Sequence, residues 1–252
     1  MQQYRSKGAI GFIVPPRCNE TVLEEAFRLR PPGLTWCFAS LGLSEFGEQN
    51  FDAALALTET AAKELAVRKV SVVVLAGLPL QTARGPKYYR ELEARLQATV
   101  GDAIPVATDG RLVIEALQAL GAKRVSVVTP YQKPYLDNLG RMLEAHDLAV
   151  VSAVGEELSL AELISDLHFD SAYEKTMQSL REQPDTDAIY ISCPQWPIVD
   201  SIARIERETG KPVVTQLTSI LWWTLATLRR DERVGGFGRL LEEMPSAARA
   251  TV

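Results

Sequence analysis

The feature that most constrains the fold of this chain is an internal repeat. Three stretches of the first half recur in the second half in the same order. The pairs are 8-GAIGFIVPP-16 with 123-KRVSVVTPY-131, 71-SVVVLAGLPL-80 with 187-DAIYISCPQW-196, and 104-IPVATDGRLVIEAL-117 with 211-KPVVTQLTSILWWTL-225. Self-similarity of this kind predicts two related structural units. We therefore expect two halves related by a pseudo-two-fold axis, with their boundary between residues 100 and 120.

Hydrophobic periodicity indicates the fold class of each half. Short runs rich in β-branched residues alternate with longer segments of helical period, which is typical of an α/β protein with mostly parallel sheets flanked by helices. Strands are predicted at 8–14, 34–40, 70–76, 104–108, 123–129, 148–154, 187–192 and 212–216. Helices are predicted at about 50–67, 86–98, 110–120, 133–145, 171–183, 197–209 and 217–229. The predicted organisation is an N-terminal βα half over 1–110, a C-terminal βα half over 111–230, and a tail over 231–252 that packs back on the N-terminal half.

The predicted sheets also locate a ligand site. In parallel sheets the carboxyl ends of the strands face the ligand crevice, so the loops that follow the strands converge there. These loops are PPRCNE, AGLPL, TPYQK and SCPQ, two from each half. We therefore expect an active-site cleft between the halves, and the repeat places Gly77 opposite Cys193 across it.

Composition excludes several classes of protein. A net charge of -5 gives no general electrostatic reason to bind nucleic acid or an anionic membrane. The apolar run from Gly8 to Val14 is too short for a signal sequence or a membrane span, so a cytoplasmic location is expected. The chain has three cysteines, two histidines, no C-x-x-C and no Gly-rich phosphate loop, and neither a metal nor a cofactor is expected.

Cys193 is the candidate reactive group. Free cysteines are often inert core residues, but this one directly follows a predicted strand, and Pro194 ends the strand because it lacks an N–H. Position thus favours a functional thiol. Gly77 is either a turn residue or a place where a ligand needs the space of a missing side chain. Tyr131 is either a packing residue or a phenolic donor, and Asn19 either caps a helix or borders a carboxylate site at its start.

These residues resemble a known family. The two-half layout, VPP followed by Asn19, the loop 75-LAGLPLQTARG-85, the segment 107-ATDGRLVIEALQALGAKRVSVVTPY-131 and ISC at 191–193 are similar to the aspartate/glutamate racemase superfamily. The nearer branch contains arylmalonate decarboxylase and maleate cis-trans isomerase. Racemases and maleate isomerase use two facing cysteines, at positions that correspond to Gly77 and Cys193, whereas arylmalonate decarboxylase has a glycine and a cysteine there. The resemblance implies cofactor-free decarboxylation of a small carboxylic acid, with Cys193 as proton donor to an enediolate.

The chain departs from the decarboxylase pattern at three positions. Leu78 and Pro79 stand where two hydroxyl donors follow the glycine, and Pro194 stands where a glycine N–H serves the oxyanion hole. A maleate isomerase or an Asp/Glu-type racemase that recruits Cys18 stays open, as does an inactive carboxylate-binding protein. Besides the catalytic Cys193, the predicted substrate-binding residues are Pro15, Asn19, Gly77, Leu78, Pro79, Tyr131, Pro194 and Gln195. The expected partner is a small carboxylate, and the sequence leaves monomer or homo-oligomer undecided.

Overall fold

Two four-stranded parallel sheets frame the protein in a computed structural model that describes residues 5–160, 162–165 and 168–246. The first sheet contains β1 (Gly8–Pro16), β2 (Leu34–Leu43), β3 (Val72–Leu75) and β4 (Val106–Thr108), in the order β2-β1-β3-β4. The second contains β5 (Arg124–Tyr131), β6 (Ala149–Leu158), β7 (Ala188–Ile191) and β8 (Val213–Thr215), in the order β6-β5-β7-β8. The strand order repeats with an offset of four strands, which confirms the predicted pair of related α/β halves.

Helices connect successive strands in both halves. They are α1 (Glu20–Leu29), α2 (Glu48–Leu55), α3 (Thr58–Val67), α4 (Leu78–Thr82), α5 (Tyr88–Val100), α6 (Asp109–Ala119), α7 (Lys133–Glu144), α8 (Glu162–Ser165), α9 (Ser171–Glu182), α10 (Ile202–Thr209), α11 (Gln216–Thr227) and α12 (Arg239–Glu243). The central strands are buried on both faces, as the all-apolar VVVL of β3 requires between two helical layers. On α7 the buried residues Leu136, Leu139 and Leu143 recur at helical spacing and face the sheet.

Two helices on the pseudo-two-fold axis join the halves. Helix α6 follows β4 and packs against α11, which follows β8 at the equivalent place in the repeat. Both begin with the same local signal, because the Thr108 hydroxyl accepts the N–H of Arg111 and the Thr215 hydroxyl accepts the N–H of Thr218. The repeat therefore fixes where each half meets the other.

Local differences from the predicted helices have identifiable causes. The segment predicted as one helix over 50–67 is two, because α2 ends at Leu55 and α3 begins at Thr58, whose hydroxyl donates to the Leu55 carbonyl across the break. Helix α4 reads as a turn in the sequence, yet Pro79 lies in its first turn, where proline is tolerated. Helix α10 begins at Ile202, after a 3-10 turn at Val199–Ser201, rather than at 197.

The tail corrects one expectation. Helix α12 packs against α11 and β8 of the second half rather than on the first half. The Trp222 indole N–H donates to the Pro245 carbonyl 2.9 Å away and fixes the end of this segment. Glu232 of the tail also forms an ion pair with Lys7 of the first half, 2.5 Å apart. Residues 247–252 lie outside the described part of the chain, and the division at residue 110 stays a prediction.

Candidate active site

A cavity lies between the two sheets, at the carboxyl ends of their strands. Its walls come from the loops after β1, β3, β5 and β7, as the sequence predicts. All the predicted site residues except Leu78 line it: Pro15, Asn19, Gly77, Pro79, Tyr131, Cys193, Pro194 and Gln195. The prediction that Leu78 lines the cavity is wrong. Leu78 begins α4 with its buried side chain turned toward Gly110 of α6, while Pro79 and Leu80 face the cavity.

Cys193 occupies a strained position two residues beyond β7. Its φ of 87° lies in the left-handed region, which is uncommon for a residue with a side chain and is typical of functional sites. Only 5% of the residue is exposed. Burial raises the pKa of the Cys193 thiol to about 11, so the thiol is neutral at pH 7.

Three groups near the sulfur of Cys193 favour its thiolate. They are the Tyr131 hydroxyl and the backbone N–H groups of Gln195 and Trp196. Pro194 has no N–H to contribute, as the sequence indicates. The chain turns at Cys193, where the Trp196 N–H donates to the Cys193 carbonyl at 3.0 Å.

Gly77 faces the cavity from the first half with a φ of 105°. A Cβ placed on it would lie 2.4 Å from Cγ of Pro15, well inside van der Waals contact. Gly77 therefore provides a left-handed turn beside Pro15, and its role in leaving space for a ligand stays a prediction. A side chain at Gly77 would require Pro15 to move.

Two predicted amide donors are engaged elsewhere. The Gln195 amide donates to the Cys18 carbonyl at 3.2 Å and accepts the N–H of Val22 at 3.1 Å, so it joins the halves. Asn19 precedes α1 without a side-chain cap and donates to the Pro16 carbonyl at 2.7 Å, while its buried Oδ1 has no partner. Cys18 itself is exposed and does not line the cavity.

Sequence reasoning missed two parts of the site. Phe46, in the loop after β2, lines the cavity and packs against Tyr131 with ring centroids 5.9 Å apart. Asp109 begins α6, is fully buried, and accepts the N–H of Gly77 at 3.1 Å. The alignment of DGR with QLT in the repeat was the signal for Asp109, because it puts an acid in the first half opposite an amide in the second.

The cavity lacks a positive charge. Along its described wall there is no Lys, Arg or His side chain, and the polar side chains that face it are Asn19, Tyr131, Cys193 and Gln195. No group of three His, Cys, Asp or Glu side chains in the described ranges could hold a metal ion. An anion in this cavity would depend on neutral donors, because the described wall carries no cation.

No helix in the described ranges is long and apolar enough to cross a bilayer.

Comparison with known proteins gives likenesses over nearly the whole chain. A family model described as arylmalonate decarboxylase matches residues 10–241. The arylmalonate decarboxylase of Bordetella bronchiseptica is 26% identical over 242 residues, covering 96% of this chain and 99% of that protein. A crystal structure of the maleate isomerase of Pseudomonas putida S16 gives a TM-score of 0.87 at 26% identity, over 94% of this chain and 99% of that one. The structure of a cysteine-to-serine mutant of Nocardia farcinica maleate cis-trans isomerase, with a covalently bound succinylcysteine intermediate, gives a TM-score of 0.83 at 26% identity. The match covers 94% of this chain and 98% of that one.

Proposed function

Because the chain belongs to the arylmalonate decarboxylase family, we propose that it is a cofactor-free decarboxylase of a small malonate-type acid, with Cys193 as the proton donor. The observation that carries this proposal is one neutral thiol facing a glycine that has no space for a second. A reaction with proton transfer from one face needs a single thiol in its protonated form. The raised pKa of Cys193 supplies that form at neutral pH.

The reaction balances with the groups of this site. The bond from the α-carbon to one carboxyl group breaks and CO₂ leaves, while the electron pair passes into the remaining carboxylate as an enediolate. The S–H of Cys193 then gives its proton to the α-carbon. The Tyr131 hydroxyl and the N–H groups of Gln195 and Trp196 stabilise the resulting thiolate, which regains a proton from water. One proton is consumed for each CO₂ released.

The cavity walls favour a substrate with an apolar substituent. Apart from the few polar groups the lining is aliphatic or aromatic, including Leu43, Phe46, Leu80, Leu160 and Leu163. Loss of CO₂ is favoured where a carboxylate leaves water for an apolar wall. We therefore assign an aryl- or alkyl-substituted malonate, acted on in the cytoplasm.

The test is turnover of 2-methyl-2-phenylmalonate in deuterated water. We expect CO₂ release and one solvent deuterium on the α-carbon of the product. Cys193→Ser should lower kcat at least about a thousandfold, because the proton donor is lost. Cys18→Ser is the matched control, since Cys18 is an exposed thiol outside the cavity, and its activity should equal the wild type.

Other outcomes would assign another function. Conversion of maleate to fumarate without CO₂ release would identify an isomerase and reject decarboxylation. Deuterium exchange at the α-carbon of an amino acid would identify a racemase. Binding of these acids with no turnover in the wild type would identify a carboxylate-binding protein.

A further inference from the structure

Asp109 is a buried carboxyl group beneath the cavity floor that the proposed reaction does not use. Its Oδ2 accepts the Gly77 N–H at 3.1 Å, and its Oδ1 accepts the Gln81 side-chain N–H at 2.6 Å. Gln81 is itself fully buried and also donates to the Leu75 carbonyl at 2.9 Å. In the described part of the chain no cation pairs with Asp109, so neutral donors alone hold this fully buried carboxyl.

The second half shows that the fold does not require an acid at this place. Gln216 begins α11 as Asp109 begins α6, and its side chain donates to the Ser192 hydroxyl at 3.1 Å, next to Cys193. A neutral amide thus lies behind the cysteine, and an acid lies behind the glycine. This difference across the pseudo-two-fold axis is a property of the site rather than of the scaffold.

Charge on Asp109 acts across the cavity. It disfavours the ionised forms of Cys193 and Tyr131, on the opposite side, and of Tyr190 on β7. Those three groups are held neutral near pH 7 because burial raises the pKa of each, whereas α4 contributes Gln81, which does not titrate. Burial raises the pKa of Asp109 to about 7. Both of its forms are therefore present near neutrality.

A carboxylate that enters the cavity meets no cation in the wall, so an ionised Asp109 opposes it. We propose that Asp109 is a positioning residue that holds Gly77 in its turn and couples the entry of a carboxylate to the uptake of one proton by its own carboxyl group. The proton comes from water and bonds to a carboxylate oxygen of Asp109, so the net charge of the buried site is unchanged as the anion enters. This inference rests on the proposed function only in taking a carboxylate as the ligand.

The experiment compares two thiol reagents of equal shape, 2-carboxyethyl and 2-carbamoylethyl methanethiosulfonate, on Cys193 between pH 6 and 8.5. Each forms a disulfide with the thiolate and releases methanesulfinate. Peptide mass mapping follows Cys193 apart from Cys18 and Cys37. The ratio of the acid rate to the amide rate cancels the ionisation of the thiol and reports the repulsion of the anion.

In the wild type we expect this ratio to fall about fivefold as the pH rises, with a midpoint near the pKa of Asp109. In Asp109→Asn the ratio should stay flat at its low-pH level. Glu206→Gln is the matched control, because Glu206 is a half-buried carboxylate with backbone N–H donors outside the cavity, and its ratio should follow the wild type.

A flat ratio in the wild type would overturn the inference, and so would an Asp109→Asn ratio that falls as the wild-type ratio does. If the variant does not fold, the wild-type profile alone decides. The reagents modify the thiol without turnover, so a protein that fails to decarboxylate any malonate still gives this readout. The two proposals can therefore fail separately.

Discussion

Pro15 occupies the space that a side chain on Gly77 would need. A Cβ on Gly77 would lie 2.4 Å from Cγ of Pro15, and the backbone there already has a φ of 105°. Both facts act against any residue but glycine. The site is therefore built for one thiol, and a second cysteine at this position cannot be introduced without moving Pro15.

Replacing Gly77 by alanine should destabilise the protein by about 2 to 4 kcal/mol, because the left-handed φ and the clash with Pro15 both add cost. Denaturant unfolding measures the change. Gly121→Ala is the control, since its φ is 75° and nothing lies within 4 Å of the added Cβ, so it carries the backbone cost alone. Equal losses in both variants would show that Pro15 offers no obstacle.

Tyr131→Phe should lower kcat for decarboxylation about a hundredfold with little change in stability. The hydroxyl is one of three groups that favour the Cys193 thiolate, and a preorganised donor acts most on the state in which charge has formed. Steady-state kinetics provide the measurement. Tyr190→Phe is the control, because that hydroxyl bonds Ser192 at 3.2 Å outside the cavity lining. A kcat equal to the wild type in Tyr131→Phe would remove Tyr131 from the mechanism.

Much of the frame could be predicted from periodicity and the repeat. The strands that contain Pro15 and Tyr131 and those that precede Gly77 and Cys193 follow from apolar β-branched runs, and the repeat brings their ends together. The β-branched runs are local, and the repeat consists of similar short stretches in the two halves, so both can be recognised from the sequence alone.

What the sequence could not give depends on side-chain direction and on partners distant in the chain. Gln195 reads as a free donor, yet its amide is used by Cys18 and Val22, more than 170 positions away. Leu78 adjoins Gly77 but turns away from the cavity, because a short helix begins there. Asp109 is buried because two layers of the structure pack around it. The residues next to an acidic side chain in the sequence do not show such burial.

Gln195→Ala should destabilise the protein by about 1 to 3 kcal/mol, because it leaves the Val22 N–H and the Cys18 carbonyl without partners at the junction of the halves. We also expect KM to rise, since both halves contribute walls to the cavity. Thermal unfolding and kinetics measure the two effects. Gln118→Ala is the control, because its amide bonds the His146 carbonyl on an exposed surface. A raised KM without loss of stability would instead indicate direct contact with substrate.

Asp109→Asn should change how stability depends on pH. The folded-state pKa of Asp109 is raised from 3.8 to about 7, so folding favours its protonated form. Its contribution is fully present below the unfolded pKa and is lost as the pH rises through the folded pKa, at about 1.4 kcal/mol per unit of pKa difference. The wild type should therefore lose stability relative to the variant between pH 4 and pH 7. Urea unfolding at pH 5 and pH 8 measures the free energy of unfolding of both proteins. Subtracting the variant's value from the wild-type value at each pH cancels the contributions of the other carboxyl groups. A wild-type-minus-variant difference that is the same at both pH values would mean that Asp109 is ionised throughout and that its pKa is not raised.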